Sequence, residues 1–216
     1  MEYIRDIFDF ILHIDVHLEA IIRAYGLWTY GILALIIFSE TGFVVTPFLP
    51  GDSLLFAAGA IAVNQVLSPL LLFVILTAAA ILGNTVNYWI GYFIGPNILL
   101  RKNIRFVNRD YLQRAHSYFE SYGGRTIIFA RFLPIFRTFV PFIAGICTMS
   151  YGVYMLYNAI AGALWVGSFV FAGYYFGNLP IVRSNFTFVI IAILVVSTLP
   201  AVIEALRRRS RVRQSD

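Results

Sequence analysis

Charge is what this 216-residue chain has least of. Charged residues make up 12% of it, half of the roughly 25% found in an ordinary soluble domain, while 60% are hydrophobic. A globule of this size cannot hide that much apolar surface, which excludes a soluble enzyme and a disordered protein. Cysteine is almost missing: Cys147 stands alone, so neither an intramolecular disulfide framework nor a cysteine-rich zinc site is available. His13, His17 and His116 are the only histidines, too scattered for a metal site, and neither a metal centre nor a cofactor is expected. The first twenty residues hold Glu2, Asp6, Asp9, Asp15 and Glu19 without an apolar h-region, so no cleavable signal peptide is expected. What remains is an all-α polytopic membrane protein with a single transport-sized domain.

The basic residues are not spread evenly. Eleven of the 16 fall in two blocks: Arg101, Lys102, Arg105, Arg109, Arg114 and Arg125 in one loop, and Arg207, Arg208, Arg209, Arg211 and Arg213 in the tail. Blocks of this kind beside apolar runs follow the positive-inside rule and suit anionic headgroups. The net charge of +5 is therefore no sign of nucleic acid binding, and both termini are expected in the cytoplasm.

Residues 1–24 read as an interfacial amphipathic helix, with Ile4, Phe8, Ile11, Leu12, Val16, Leu18 and Ile22 spaced between acids. The membrane domain is expected over 25–206. Its first segment runs from Gly26 to about Thr46, and is followed by the broken stretch Pro47-Phe48-Leu49-Pro50-Gly51-Asp52 and a short apolar run, Ser53 to Val66. Pro69 to Gly95 forms the next long segment. The loop 96–124 carries an amphipathic helix from Arg109 to Tyr122, between Asn108 as cap and Gly123-Gly124 as stop. A second broken stretch, Thr126 to Thr148, contains Pro134 and Pro141, and segments near Tyr151 to Asn178 and Ser184 to Leu206 precede the basic tail 207–216.

If loop and tail face the same side, an even number of crossings separates them, yet three apolar stretches lie between. Residues 126–148 are therefore expected to turn back as a re-entrant hairpin, and 47–66 to form its counterpart from the opposite face. Pro47, Pro50, Gly51, Pro134, Pro141 and Gly145 would shape the two hairpins. An internal repeat agrees: Phe48-Leu49-Pro50 recurs as Phe132-Leu133-Pro134, and Gly91-Tyr92-Phe93-Ile94-Gly95 as Gly173-Tyr174-Tyr175-Phe176-Gly177. Two such units of inverted topology are the pattern of many transporters, whose sites lie where broken helices meet. The GxxxG pairs read as helix-packing faces and leave a homodimer open.

The strongest signal is the placement of charge within the apolar segments. Between residues 24 and 100 only Glu40 and Asp52 are charged, and between 126 and 182 only Arg131 and Arg137. Each costs roughly 2.5–3.5 kcal/mol at bilayer depth even on lenient scales, so four of them imply a shared polar site. One reading makes them ion pairs that clip the two halves together, although buried pairs stabilise poorly compared with apolar packing. The other gives them work: Arg131 and Arg137 offer guanidinium forks to an anionic headgroup, while Glu40 or Asp52 could couple movement to protons. Asp52 also has a capping role open to it at the helix beginning near Ser53. Asn84, Asn87 and Tyr88 share one side of the third segment as possible cavity-lining groups, with interhelical hydrogen bonding an equal alternative; Asn158 invites the same two readings.

The stretches Glu40-Thr41-Gly42, Pro47 to Ser53 and Arg131-Phe132-Leu133-Pro134-Ile135-Phe136-Arg137-Thr138-Phe139-Val140-Pro141-Phe142-Ile143-Ala144-Gly145 closely resemble the bacterial DedA family, which belongs to a superfamily that includes lipid scramblases. The likeness runs from about Tyr25 to Gly177. It implies opposed re-entrant hairpins in the bacterial inner membrane and movement of undecaprenyl phosphate or phospholipid, linked to proton-motive force and envelope integrity. The family's required acids match Glu40 and Asp52, and its arginines match Arg131 and Arg137. One departure stands out. Many relatives carry Gly-Asp before a Tyr-x-x-Gly-Arg stretch, where this chain has Gly83-Asn84 and Tyr88-Trp89-Ile90-Gly91-Tyr92. If those two charges pair in relatives, losing both is neutral; if the acid carries protons, coupling here is in doubt. The resulting expectation is a lipid-phosphate transporter, with lipids as its partners, and not an enzyme. A proton-coupled antiporter for small cations or drugs, with the acids as binding site, is the alternative.

Overall fold

The computed structural model describes residues 14–43, 51–63, 67–100, 124–193 and 195–196. Among them there is no strand. The helices are α1 (Ile14–Tyr25), α2 (Trp28–Gly42), α3 (Gly51–Ala62), α4 (Pro69–Leu100), α5 (Arg125–Arg131), α6 (Pro134–Ile146), α7 (Tyr151–Phe176) and α8 (Pro180–Ser184), followed by helical residues 186–193. Pro47, Pro50, the stretch 1–13, residues 109–122 where a loop helix is expected, and the tail 207–216 lie outside the described residues.

Two helices are long and apolar enough to cross a membrane, Pro69–Gly95 and Tyr151–Phe176. They lie side by side and antiparallel: Phe73 meets Phe171 at 5.6 Å between ring centroids and Tyr88 meets Tyr154 at 4.4 Å. Leu70, Val74, Leu82 and Phe93 of α4, with Val153, Leu156 and Leu164 of α7, are exposed. Glu40, Asp52, Asn84, Asn87, Arg131, Arg137 and Asn158 are buried. Apolar outside and polar inside is the arrangement stable in hydrocarbon, where water offers no alternative partner.

The short helices are shared between the halves. α6 packs on α4: a Cβ at Gly91 would lie 2.1 Å from the Phe142 carbonyl oxygen, and one at Gly145 2.0 Å from that of Tyr88. α3 packs on α7 in the same manner, with Gly173 against the Phe56 carbonyl at 2.0 Å and Gly59 against that of Val170 at 2.1 Å. Only glycine lets the backbones approach so closely. The GxxxG faces foreseen in the sequence are thus used within the chain, each half's long helix holding the other half's short one. α3 and α6 run in opposite directions, α3 towards Gly177 at the end of α7 and α6 towards Gly95 on α4.

The segment boundaries shift in three places. α4 continues past Gly95 and Pro96 through Leu100, so part of the expected loop is helical; one missing N–H at Pro96 does not stop a run that stays apolar through Ile98-Leu99-Leu100. In the second broken stretch the interruption falls at Phe132-Leu133, with Pro134 at the start of α6 where its missing donor costs nothing. Pro141 lies inside α6, which carries on to Ile146. α1 is anchored by Leu18 and Ile22, both buried in an apolar cluster with Leu33, Ile37, Leu54, Leu55, Leu72, Leu76, Trp165 and Val170. A second cluster gathers Tyr88, Ile127, Ala130, Val140, Ala144, Tyr154 and Ala161.

Candidate functional site

Side chains from the first turns of α3 and α6 meet, and charges of both halves come together there. Asp52 sits in the first turn of α3, and its Oδ1 accepts a hydrogen bond from Arg137 Nη1 at 2.8 Å. Arg137 Nη2 donates to Glu40 Oε1 of α2. The same Glu40 oxygen accepts from the backbone N–H of Gly51 at 3.2 Å, so a carboxylate covers the positive end of α3. Gly51 is required by space: a Cβ there would fall 1.8 Å from Glu40 Oε2. Asp52 lies within α3 and not ahead of it, and its Oδ1 is used by the arginine and by Trp165 Nε1 at 2.9 Å.

Arg131, at the end of α5, is only 2% exposed, and Arg137 4%; Glu40 is 0% and Asp52 5% exposed. The two arginines are treated very differently. Arg137 is paired with both acids, whereas Arg131 has no carboxylate among the described residues. Its Nη1 donates to Asn158 Oδ1 at 2.8 Å. With the Asn84 amide turned so that acceptor faces donor, its oxygen accepts from the same Nη1 at 2.6 Å and its nitrogen donates to the Thr41 carbonyl at 3.2 Å. Nε and Nη2 of Arg131 have no hydrogen-bond partner among the described residues. Trp165 joins the two centres: the guanidinium carbons of Arg131 and Arg137 lie 5.4 and 5.1 Å from its ring.

The other sequence candidates divide. Asn84 belongs to the Arg131 environment. Asn87 ties three helices together, donating to the Thr41 carbonyl at 3.3 Å and that of Thr138 at 2.8 Å. Tyr88 lies apart from the charges, its hydroxyl donating to the Met149 carbonyl at 2.5 Å. Pro134 opens α6 and Gly145 seats it on α4. Trp165 escaped the sequence reading, although it stands seven residues, about two turns, after Asn158 and so shares its face. Tyr154 also went unnoticed; it donates to the Asn84 carbonyl at 2.8 Å. No group of three or more potential metal ligands occurs among the described residues.

Antiparallel apolar helices, interrupted short helices and a buried charge cluster define a polytopic helical membrane protein with a polar site in its interior. Residues 49–175 match the model of the VTT domain. The chain is 50% identical over 211 residues to Protein DedA of Escherichia coli (strain K12), covering 97% of this chain and 96% of that one. It is 44% identical over 184 residues to an uncharacterized membrane protein of Mycobacterium leprae (strain TN), covering 84% and 82%. It is 32% identical over 152 residues to the inner membrane protein YqjA of E. coli (strain K12), covering 70% and 69%. No solved structure matches. The chain belongs to the DedA family of VTT-domain membrane proteins.

Proposed function

We propose that this protein moves a lipid phosphate, of the polyprenyl phosphate or phospholipid type, across the bacterial inner membrane. The observation that carries this reading is the pooling of all four charges of the apolar segments in the buried interior, Glu40 and Asp52 on Arg137 and Arg131 beside the same Trp165 ring. Arginine forks and helix N-termini both favour anions, and a phosphate could enter from the side while its hydrocarbon tail remains in the bilayer. Glu40 and Asp52 pair with Arg137 as carboxylates in the empty site, and proton uptake by them as the anion enters, with proton loss as it leaves, would link lipid movement to protons.

The mechanism rests on two units of inverted topology, with 47–66 and 126–148 as re-entrant hairpins and both termini in the cytoplasm. Opposite running directions for α3 and α6, and the matched glycine contacts of Gly91 with Phe142 and Gly173 with Phe56, support that arrangement. Exposing the site alternately would then require rocking at those two glycine contacts. The chain acts as a carrier for membrane lipids and not as an enzyme.

Purified protein reconstituted into liposomes tests the proposal. Wild type is expected to accelerate transbilayer movement of a labelled polyprenyl phosphate over protein-free vesicles, and Arg131→Gln to return it to the protein-free rate. Movement no faster with wild type than without protein refutes it.

A further inference from the structure

We infer that the two arginines have separate tasks: Arg137 is a structural cation held by Glu40 and Asp52, and Arg131 is the one that meets the phosphate, kept available by the neutral amides of Asn84 and Asn158. This rests on the lipid-phosphate reading and names the receiving group within it.

The argument is one of donor accounting. A guanidinium carries five N–H bonds in a rigid plane. On Arg131 the two of Nη1 point at the amide oxygens of Asn158 and Asn84, at 2.8 and 2.6 Å. Those oxygens fix the plane of the group without cancelling its charge. What they leave over is the Nε–Nη2 edge, buried and without a partner among the described residues. Two parallel N–H bonds on one edge are the geometry that takes a phosphate or carboxylate bidentately. Arg137 differs on every count. Both of its terminal nitrogens are committed to carboxylates, and only Nε is over, which cannot make a bidentate contact alone.

Gly162 of α7 lies against the same guanidinium: a Cβ at that position would fall 3.1 Å from Ile81 Cγ1, 3.6 Å from Arg131 Nη2 and 3.7 Å from Cζ, so a side chain at 162 would crowd the group. Trp165, one turn further along, lies with its ring centre 5.4 Å from Cζ.

The inference predicts that an acid in place of either amide silences the site with almost no change in shape. Asn158→Asp puts a carboxylate oxygen where an amide oxygen now stands, 2.8 Å from Nη1, and Asn84→Asp does so from the other side. The probes are farnesyl phosphate and inorganic phosphate, titrated into the detergent-solubilised full chain by calorimetry, with thermal midpoints recorded for each variant. Wild type is expected to bind farnesyl phosphate and each Asp variant to bind it at least tenfold more weakly, while still unfolding in one cooperative transition whose midpoint registers the lost amide donors to the Ile81 and Thr41 carbonyls. If one variant does not fold, the other carries the test. Asp variants that bind within threefold of wild type overturn the division of labour and return the anion to Arg137, with the transport proposal intact. Absence of binding to wild type overturns both. Binding of inorganic phosphate alone retains the role of Arg131 but removes the lipid from it.

Discussion

Removing the positive charge of Arg137 gives the sharpest test of how the cluster is held. Arg137→Gln leaves Glu40 and Asp52 facing each other's surroundings without the cation that now bridges them, and both acids are almost wholly buried. Breaking a buried pair in this way costs about 3–5 kcal/mol, because an uncompensated charge stays behind. Arg131 is near enough to share Trp165 with Arg137 and supplies some compensating field, which places the expectation at the lower end, ~3 kcal/mol. The triple variant Glu40→Gln/Asp52→Asn/Arg137→Gln removes all three charges while keeping size and hydrogen-bonding capacity. It is expected to recover most of the loss, to within about 1–2 kcal/mol of wild type, since neutral amides can bond one another. The assay is equilibrium unfolding in mixed micelles followed by far-UV circular dichroism. For a chain of this size ~3 kcal/mol corresponds to a midpoint lower by roughly 6–12 °C. A single variant as stable as wild type, or a triple variant no better than the single one, refutes the electrostatic account. Transport by the triple variant at the wild-type rate would make these three charges a clip and nothing more.

Gly51→Ala is expected to destabilise by about 1–3 kcal/mol, since its Cβ collides with the Glu40 carboxylate, whereas Gly31→Ala, with nothing within 4 Å, is expected to gain ~0.5–1 kcal/mol of helix propensity; equal unfolding midpoints for the two would count against the close approach. Trp165→Phe keeps an aromatic face for the arginines but loses the donor to Asp52, for an expected cost of about 1.5–3 kcal/mol, and Trp165→Leu is expected to lose more; the same unfolding assay ranks them. Asn87→Ala leaves two carbonyls, of Thr41 and Thr138, without this donor and is expected to cost about 1–3 kcal/mol, visible also as faster amide exchange where α2, α4 and α6 meet. Gly91→Ala forces apart α4 and α6 at a backbone contact and is expected to reduce lipid movement in vesicles more than headgroup binding in micelles; equal losses in both would place the damage at the site itself.

Class and the burial of the four charges were legible in the chain alone, because both depend on composition along one dimension. A shortage of charge with long apolar runs means lipid as solvent, and the four charges left in those runs must be buried together because isolation is too costly. Glu40, Asp52, Arg131 and Arg137 could be named on that ground without coordinates. Glycine spacing marked packing faces, but not which helix each face receives. Only the tertiary structure decided the pairing: α4 with α6 and α7 with α3, both acids on one arginine, and two amides on the other. Those choices turn on where helices cross, and Asn84, Asn158 and Trp165 acquire their meaning from neighbours 27 to 113 residues away in the chain. A tryptophan on an apolar helix reads as packing until an aspartate from the other half is found 2.9 Å from its nitrogen. Residue types can say that buried charges must be matched; the three-dimensional path of the chain decides which partner each one receives, and so which donors are left over.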